Sequence, residues 1–346
     1  YLSKYEEKMW QHQIDSFRFK ITTRRCIDAG EMGVGKTLST FRAIEYLRQI
    51  FGYLGGSWWC STNSGLASLS TQCTKWNFRF GSQMNNNRCF NYHTLERVMQ
   101  EAAKPPQIMV FDESSHLKSP SARRTQLAIE LSNLMEKEYG SNCAVFLLSG
   151  TPAPQNHFDW WSQSEIARPG WLRESSYTKF QRRLAKYEAG ERSDGGYYPK
   201  FVSWNEREVE LLPKRLKGLV LVTWKKDCLD LPEKVYEEII IEPNESILRV
   251  ARALSRMGLS AIELQSRLRQ LSDGFQYYMD EGTNSREVKI GVTGKDQALI
   301  DILQDHEELD YNRIVIYGAF TATIDRITQL VLQQGWNIWR FDGRGQ

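Results

Sequence analysis

Gly30, Gly33, Gly35, Lys36 and Thr37 set the chemistry open to this chain. Gly30 opens and Gly35-Lys36-Thr37 closes the pattern G-x-x-x-x-G-K-T. Backbone N–H groups can turn inward on a phosphate chain only where no side chain obstructs them, which is what glycine provides. Lys36 can reach the β- and γ-phosphates of a nucleoside triphosphate, and the Thr37 hydroxyl can ligate Mg²⁺. A second candidate is the pair Asp112-Glu113. An Asp at the end of a strand beside the phosphate-loop strand can hold Mg²⁺ through water, and the Glu next to it can polarise an attacking water as general base. Alone, such a pair reads more readily as a solvated loop; its place after an apolar run and downstream of the phosphate loop favours the functional reading. A third is Ser149-Gly150-Thr151-Pro152, small hydroxyls on a tight turn that could sense a γ-phosphate or could simply end a strand.

Those residues need elements to position them. Cys26-Ile27-Asp28-Ala29 reads as the end of a buried strand. Residues 37–49 carry Leu38, Phe41, Ile44, Tyr46 and Leu47 at helical spacing, so a helix should follow the loop and aim its positive dipole end at the phosphates. Ile108-Met109-Val110-Phe111 and Ala144-Val145-Phe146-Leu147-Leu148 read as central strands whose C-terminal ends present the acidic pair and the Ser-Gly-Thr-Pro turn, where ligands sit in open α/β sheets. The expected fold class is α/β: a P-loop lobe with a parallel sheet over residues 1–165, a helical insertion or linker region over 166–288, and the start of a second α/β unit over 289–346. Within the middle region, Ser193-Asp194-Gly195-Gly196 reads as a turn, and 245–271 as one long or two broken amphipathic helices with Gly258 marking the break. In the last region 295–303 and 322–333 read as helices, 313–317 as a buried strand, and 335–341 as the beginning of the next.

The composition is that of a globular protein: 346 residues, 41% hydrophobic and 25% charged. A net charge of +3 neither requires nor excludes a polyanionic partner. The six cysteines are scattered without a C-x-x-C, which argues against a zinc site or a disulfide framework and for a reducing interior. No apolar run reaches membrane-spanning length and the first residues do not read as a signal peptide, so an intracellular protein with no membrane contact is expected, in the cytoplasm or nucleoid, or in the nucleus of a eukaryote. The chain opens on Tyr1 rather than Met, so an incomplete N-terminus is expected.

In this order the motifs resemble those of superfamily 2 helicases, and among them the Swi/Snf-type, chromatin-remodeller-like ATPases. His12-Gln13 resembles the adenine-reading Gln motif, Ala29 to Thr37 motif I, Asp112-Glu113-Ser114-Ser115 to Pro120 motif II, and Leu148 to Asn156, which includes Ala153-Pro154-Gln155, motif III. Asp230-Leu231-Pro232-Glu233-Lys234 is similar to the L-P-x-K segment after the helical insertion. Residues 313–320 resemble motif IV, and Arg340-Phe341-Asp342-Gly343 the segment that follows it. The resemblance implies two RecA-like lobes that close on ATP and walk along duplex DNA, usually without separating its strands. By position it assigns adenine to Gln13, phosphates and Mg²⁺ to Lys36 and Thr37, Mg²⁺ to Asp112, water activation to Glu113, and coupling of the nucleotide to DNA contact to Gly150 and Thr151. Lys118, Arg123 and Arg124 either touch DNA phosphates or lie on a solvated helix face. Asn91 to Leu95 resembles a DNA-contacting segment, though a Tyr-x-x-Leu is more often core.

The departures bear on function. Gly30 replaces the family's usual Asp, which returns the loop to the general P-loop form. Ser115 stands where a His commonly links ATP to motif III; a bare Asp-Glu-Ser-Ser is commoner in bacterial and phage members. Val222-Thr223 replaces an Arg pair before Lys225-Lys226-Asp227. The chain ends at Gln346, before motifs V and VI and the arginine finger they would include, so a truncated chain is expected. The leading expectation is therefore a DNA-dependent ATPase and double-stranded DNA translocase using ATP and Mg²⁺. The alternatives are a strand-separating DNA or RNA helicase, and a nucleotide- or DNA-binding module without turnover. A P-loop kinase would leave Ser149 to Pro152 and the second α/β unit unexplained.

Overall fold

The computed structural model describes residues 2–81, 86–153, 155–191, 196–279, 285–289, 293–306 and 313–344. Pro154, and Ser193, Asp194 and Gly195 of the expected turn, lie outside the described residues. The chain divides into two compact units, Tyr1–Pro232 and Glu233–Gln346.

The first unit is built on a six-stranded parallel sheet. Its strands are β1 (Arg25–Gly30), β2 (Ser57–Ser61), β3 (Arg88–Asn91), β4 (Ile108–Asp112) and β5 (Ala144–Leu148), with β6 (Ala185–Glu191) and β7 (Tyr197–Trp204) standing apart as an antiparallel hairpin, and β8 (Val220–Thr223) returning to the sheet. The order is β3-β2-β4-β5-β1-β8. The central strands are unbroken runs of buried residues, as a parallel sheet covered on both faces demands. Period-2 alternation divides them between two cores. Ile27, Trp58, Met109, Phe111, Val145 and Leu147 face one way and pack with the helices Arg123–Tyr139 and Trp160–Ala167. Cys26, Trp59, Val110, Phe146 and Leu148 face the other way, toward the helices Gln11–Thr23 and Lys36–Ile50.

This sheet meets the expectation for the P-loop lobe, with one correction. The acidic strand β4 does not lie beside the phosphate-loop strand β1, because β5 intervenes. Strand neighbours are chosen by long-range packing, and nothing local in residues 108–112 encodes them. The region read as helical does contain the helices Tyr177–Leu184 and Glu206–Leu216, but it also supplies the β6–β7 hairpin and the sixth sheet strand, β8. Four residues of β8 are too few to show a periodicity.

The second unit holds the helices Glu245–Ser255 and Ala261–Ser272, separated at Gly258 (φ +67°) as expected, the hairpin β9 (Phe275–Met279) and β10 (Ser285–Lys289), and the helices Gly294–Asp305 and Thr321–Gln333. Residues 313–317 and 335–341, both expected as strands, are the exceptions. They form no strand among the described residues, and Val315 and Tyr317 are exposed. An apolar run becomes a buried strand only where a neighbour pairs its backbone, and none does so here. No described helix is long and apolar enough to cross a membrane.

One face of the Gln11–Thr23 helix is unusual. Gln13, Ser16, Phe17 and Lys20, spaced i, i+3, i+4, i+7, are the residues it buries. Lys20 and Asp28 of β1 form an ion pair with essentially no solvent exposure. The Lys20 ammonium also donates to Ser16 Oγ (2.5 Å) and Ser39 Oγ (3.1 Å), so all three of its protons are used. The Ser16 hydroxyl donates to Asp28 Oδ2 at 2.7 Å, and the Gly30 N–H to Asp28 Oδ1 at 3.2 Å. Burial pushes the Asp28 carboxyl up, but Lys20 and these hydrogen bonds more than offset it and hold the group below the usual carboxylate range. That contribution to stability is complete above the ordinary carboxylate pKa and is lost as pH falls through the lowered one. Lys20→Met leaves a buried carboxylate unpaired and is expected to cost about 3–5 kcal/mol of unfolding free energy at neutral pH, with Lys20→Met/Asp28→Leu recovering most of it. Denaturant unfolding checks this, and equal stability of the single and double variants would refute it.

Candidate nucleotide-binding site

The site begins where β1 runs out. Beyond Gly30 the chain is steered by Glu31 N–H donating to Thr223 O (2.9 Å), then turns through Gly33 and Gly35, at φ +88° and +87°, into the helix that starts at Lys36. Gly35 is needed twice over. Its φ is one that L side chains avoid, and a Cβ there would fall 2.1 Å from Gln13 Nε2. Lys36 Nζ lies across the mouth of the loop, donating to Gly30 O (2.7 Å) and Glu31 O (3.1 Å). Burial lowers the Lys36 ammonium, and the neighbouring Asp28, Glu113 and Asp112 carboxylates partly restore it. Thr37 is the second residue of the helix and half-buried.

The register of the sheet makes the other candidates converge. Leu148, the last residue of β5, pairs with Asp28 on one side and Asp112 on the other, so β4 and β5 finish level while β1 runs two residues further, to Gly30. Ser149 N–H continues the ladder by donating to Asp28 O at 3.1 Å. Gly150 then lies against the phosphate loop, where a Cβ would come 3.2 Å from Met32 N. Thr151 N–H donates to Ser149 Oγ (3.1 Å), which closes the turn. Asp112 Oδ2 accepts from Ser61 Oγ at 3.1 Å, and its backbone carbonyl accepts from the buried Tyr92 hydroxyl at 2.6 Å. Tyr92 and Leu95 are thus core residues. Burial raises the Asp112 carboxyl, opposed by the Ser61 hydroxyl, the Glu113 N–H and Lys36. Glu113 has a left-handed backbone (φ +54°), uncommon for a residue with a side chain and typical of functional turns. Gln13 stands apart from the acidic pair, over the other side of the loop. Its Oε1 accepts from Trp10 N–H (3.1 Å) and its Nε2 donates to Val34 O (3.2 Å), a carbonyl also reached by His12 Nε2 at 2.9 Å.

Reading the sequence missed three sets of contacts. Glu31 accepts from Lys225 N–H at 2.5 Å, and Lys225 Nζ lies within 3.6 Å of the Cβ position of Gly33, so a distant lysine borders the loop. Asp28 and Lys20 anchor it from below. Gln163, wholly buried, takes the Ser114 hydroxyl on its Oε1 (2.8 Å) and donates its amide to Pro152 O and to Asp159 O (3.2 Å). It thereby ties the Asp-Glu-Ser-Ser turn to the Ser-Gly-Thr-Pro turn without a His at position 115. Only the i+3, i+7 spacing of Ser16 and Lys20 from Gln13 was a usable signal; Gln163 and Lys225 carried none. Of the three cations left open, Arg123 pairs with Glu96 and Arg124 Nε donates to His116 O (2.7 Å).

A parallel sheet with a glycine loop after a central strand, and a helix starting on that loop's lysine, is a P-loop nucleotide-binding fold. No protein-family model and no curated protein matches the chain. Among solved structures it is similar to the SWI2/SNF2 ATPase core of Sulfolobus solfataricus in complex with double-stranded DNA, at a TM-score of 0.52 and 17% identity, covering 95% of this chain and 70% of that one. It is also similar to the SWI2/SNF2 ATPase core domain of the same organism, at a TM-score of 0.48 and 18% identity, covering 94% and 68%. The likeness is one of fold: an α/β, RecA-like lobe with a parallel sheet, followed by a second unit.

The Gln163 bridge is open to test. Gln163→Leu strands the Ser114 hydroxyl and the Pro152 carbonyl in the interior and is expected to cost about 1–3 kcal/mol in denaturant unfolding. Gln163→Glu restores the acceptor but turns an oxygen on the carbonyl, so it too is expected to destabilise. Wild-type stability in both variants would dissolve the link.

Proposed function

We propose that this chain is a DNA-dependent ATPase that couples ATP hydrolysis to movement along double-stranded DNA. The observation that carries the reading is the shared register of β1, β5 and β4 through Leu148, which brings the glycine loop, the Gly150 turn and the acidic pair to the same end of the sheet. In this reading the backbone of residues 33–37 and Lys36 hold the phosphates. The available donors suit Mg²⁺, a hydroxyl on Thr37 and a carboxylate on Asp112 being the hard oxygen ligands it prefers. Bound there, Mg²⁺ would offset phosphate charge. Asp112 must shed its proton to serve as ligand. Glu113, held in its strained turn, takes the proton of the attacking water. Gln13 has spent one lone pair and one N–H on Trp10 and Val34, and the lone pair and N–H that remain match the N6 and N7 edge of adenine. Gly150 and Thr151, in contact with the loop, carry the state of the nucleotide to the rest of the lobe. The DNA part of the proposal is supported by the likeness to a SWI2/SNF2 core solved on double-stranded DNA.

Phosphate release from ATP, with and without duplex DNA, tests the proposal. Release is expected to rise with DNA and to vanish in Lys36→Ala; turnover undiminished in that variant would sink it. Bound ATP without release would identify a nucleotide-binding module instead, and strand separation without movement on intact duplex would identify a helicase. A pH profile adds a sharper check. Burial raises Asp112, so the acidic limb of kcat/KM should lie above the ordinary carboxylate range. Ser61→Ala removes a hydrogen bond that favours the carboxylate, and should move that limb to still higher pH. An unmoved limb would take Asp112 out of the titrating role.

A further inference from the structure

A second polar cavity lies in the first unit, away from the phosphate loop. Its volume is about 610 Å³, and its wall comes from the turn after the Trp160–Ala167 helix, the end of the Tyr177–Leu184 helix and the end of the Glu206–Leu216 helix. The last of these leads into β8 at Val220, whereas the phosphate loop meets β8 at its other end, Thr223. The cavity therefore sits toward the opposite end of the sheet's strands from the nucleotide site.

Five cations line it: Arg168, Arg173, Arg183, Lys214 and Arg215. No carboxylate belongs to the wall among the described residues. Three stand behind it. Glu174, with a side chain only 5% exposed, is shared by Arg183 (2.7 Å) and Arg215 (2.5 Å); Glu208 pairs with Arg183 (2.9 Å); Glu165 accepts from Gly170 N–H (3.2 Å). Arg168, Arg173 and Lys214 form no ion pair among the described residues, and Arg215 Nη1 is buried with no hydrogen-bond partner. Buried donors on a charged group are costly to leave unmet, and like charges gathered round one cavity repel.

The wall is also built stiffly. Arg173 has a left-handed backbone (φ +61°), in a turn that starts at Gly170 (φ +75°) and is closed by Arg173 N–H donating to Gly170 O at 3.0 Å. Holding a residue with a side chain there costs about 1–2 kcal/mol, which a surface turn serving only as a connection would avoid with glycine. Trp171 is fixed by its indole N–H on Arg215 O (2.9 Å), and the Arg168 guanidinium stacks on its ring at 5.2 Å. Guanidinium forks on a rigid frame, with one ammonium beside them, match the oxygens of phosphate in geometry and charge.

We propose that this cavity is a second phosphate-binding site, distinct from the phosphate loop, which holds a phosphate-bearing ligand through Arg168, Arg173 and Lys214 against Trp171. The phosphate can come from a small phosphorylated molecule or from a nucleic-acid backbone, and the test separates the two. Pyrophosphate is titrated calorimetrically into the full chain, into Lys36→Ala, and into Lys36→Ala carrying Arg173→Gly and Lys214→Gln. Arg173→Gly suits the left-handed backbone, so the fold should be kept, which unchanged thermal unfolding without ligand verifies. Lys36→Ala is expected to retain one site that weakens with salt, and the added pair to weaken it by about tenfold or more. Arg168→Gln in the Lys36→Ala chain, a second and independent variant, should do the same. Displacement of the pyrophosphate by a short DNA duplex marks a backbone phosphate; its retention marks a small ligand. No binding to Lys36→Ala, or binding that neither variant weakens, overturns the proposal. Because the readout is made with the loop lysine removed, it stands or falls separately from the proposed ATPase.

Discussion

The glycine loop depends on an ion pair that solvent never reaches. Lys20 and Asp28 could be replaced by apolar residues at little cost to stability, since desolvation consumes most of what a buried pair gains. The pair is explained by what Asp28 does with its other oxygen, which accepts from the N–H of Gly30 at the point where the sheet ends and the loop begins. The acceptor used for that is a carboxylate, and a buried carboxylate needs a cation. Ser16 and Ser39 complete the set, so the network joins the helix that carries Gln13, the strand that feeds the loop and the helix that leaves it. A fully satisfied polar network of this kind permits one arrangement of those three elements, where an apolar contact would permit several.

From that anchor the rest of the site follows by register. Leu148 stands between Asp28 and Asp112, so fixing β1 also fixes the height of the acidic turn and of the Ser-Gly-Thr-Pro turn. The two turns are then joined by Gln163 behind them and by Gly150 against the loop in front. The pattern Asp-Glu-Ser-Ser therefore does not leave the acidic turn loose. A buried amide on the Trp160–Ala167 helix carries the connection, and it does so with neutral groups that do not titrate.

How much of this could be read from the residues depended on range. The phosphate loop, the helix after it, the break at Gly258 and the strands bearing Asp112 and Ser149 were legible because each is specified by its own few residues: glycines at fixed offsets, or apolar runs bounded by polar ones. The order of strands was not, and β4 was wrongly set beside β1, because adjacency is decided by side chains tens of residues apart. Lys20 was hidden by its type, since a lysine in a helix is ordinarily solvated and only its partner explains its burial. Residues 313–317 failed in the opposite direction: their apolar run is strand-like by composition, but composition cannot supply the neighbour that a strand requires.

The two anion sites proposed for the first unit show why charge alone is a poor guide to function. At the phosphate loop one lysine suffices, because backbone N–H groups and a helix terminus provide the rest of the positive field, and the acidic residues around it are part of the design. At the opposite end of the strands the described residues form no such backbone cradle, so the proposed site would rest on side-chain cations, which are correspondingly many and only partly compensated by Glu174 and Glu208. The first arrangement tolerates a buried carboxylate network beneath it; the second keeps its carboxylates behind the wall, where they orient Arg183 and Arg215 without occupying the cavity. A net charge of +3 over the whole chain conceals both. What distinguishes a site from a solvated surface is whether its groups are held, and parts of each are: by positive-φ turns, by the Trp171 indole, by carboxylate contacts to Arg183 and Arg215, and by the strand register beneath the loop.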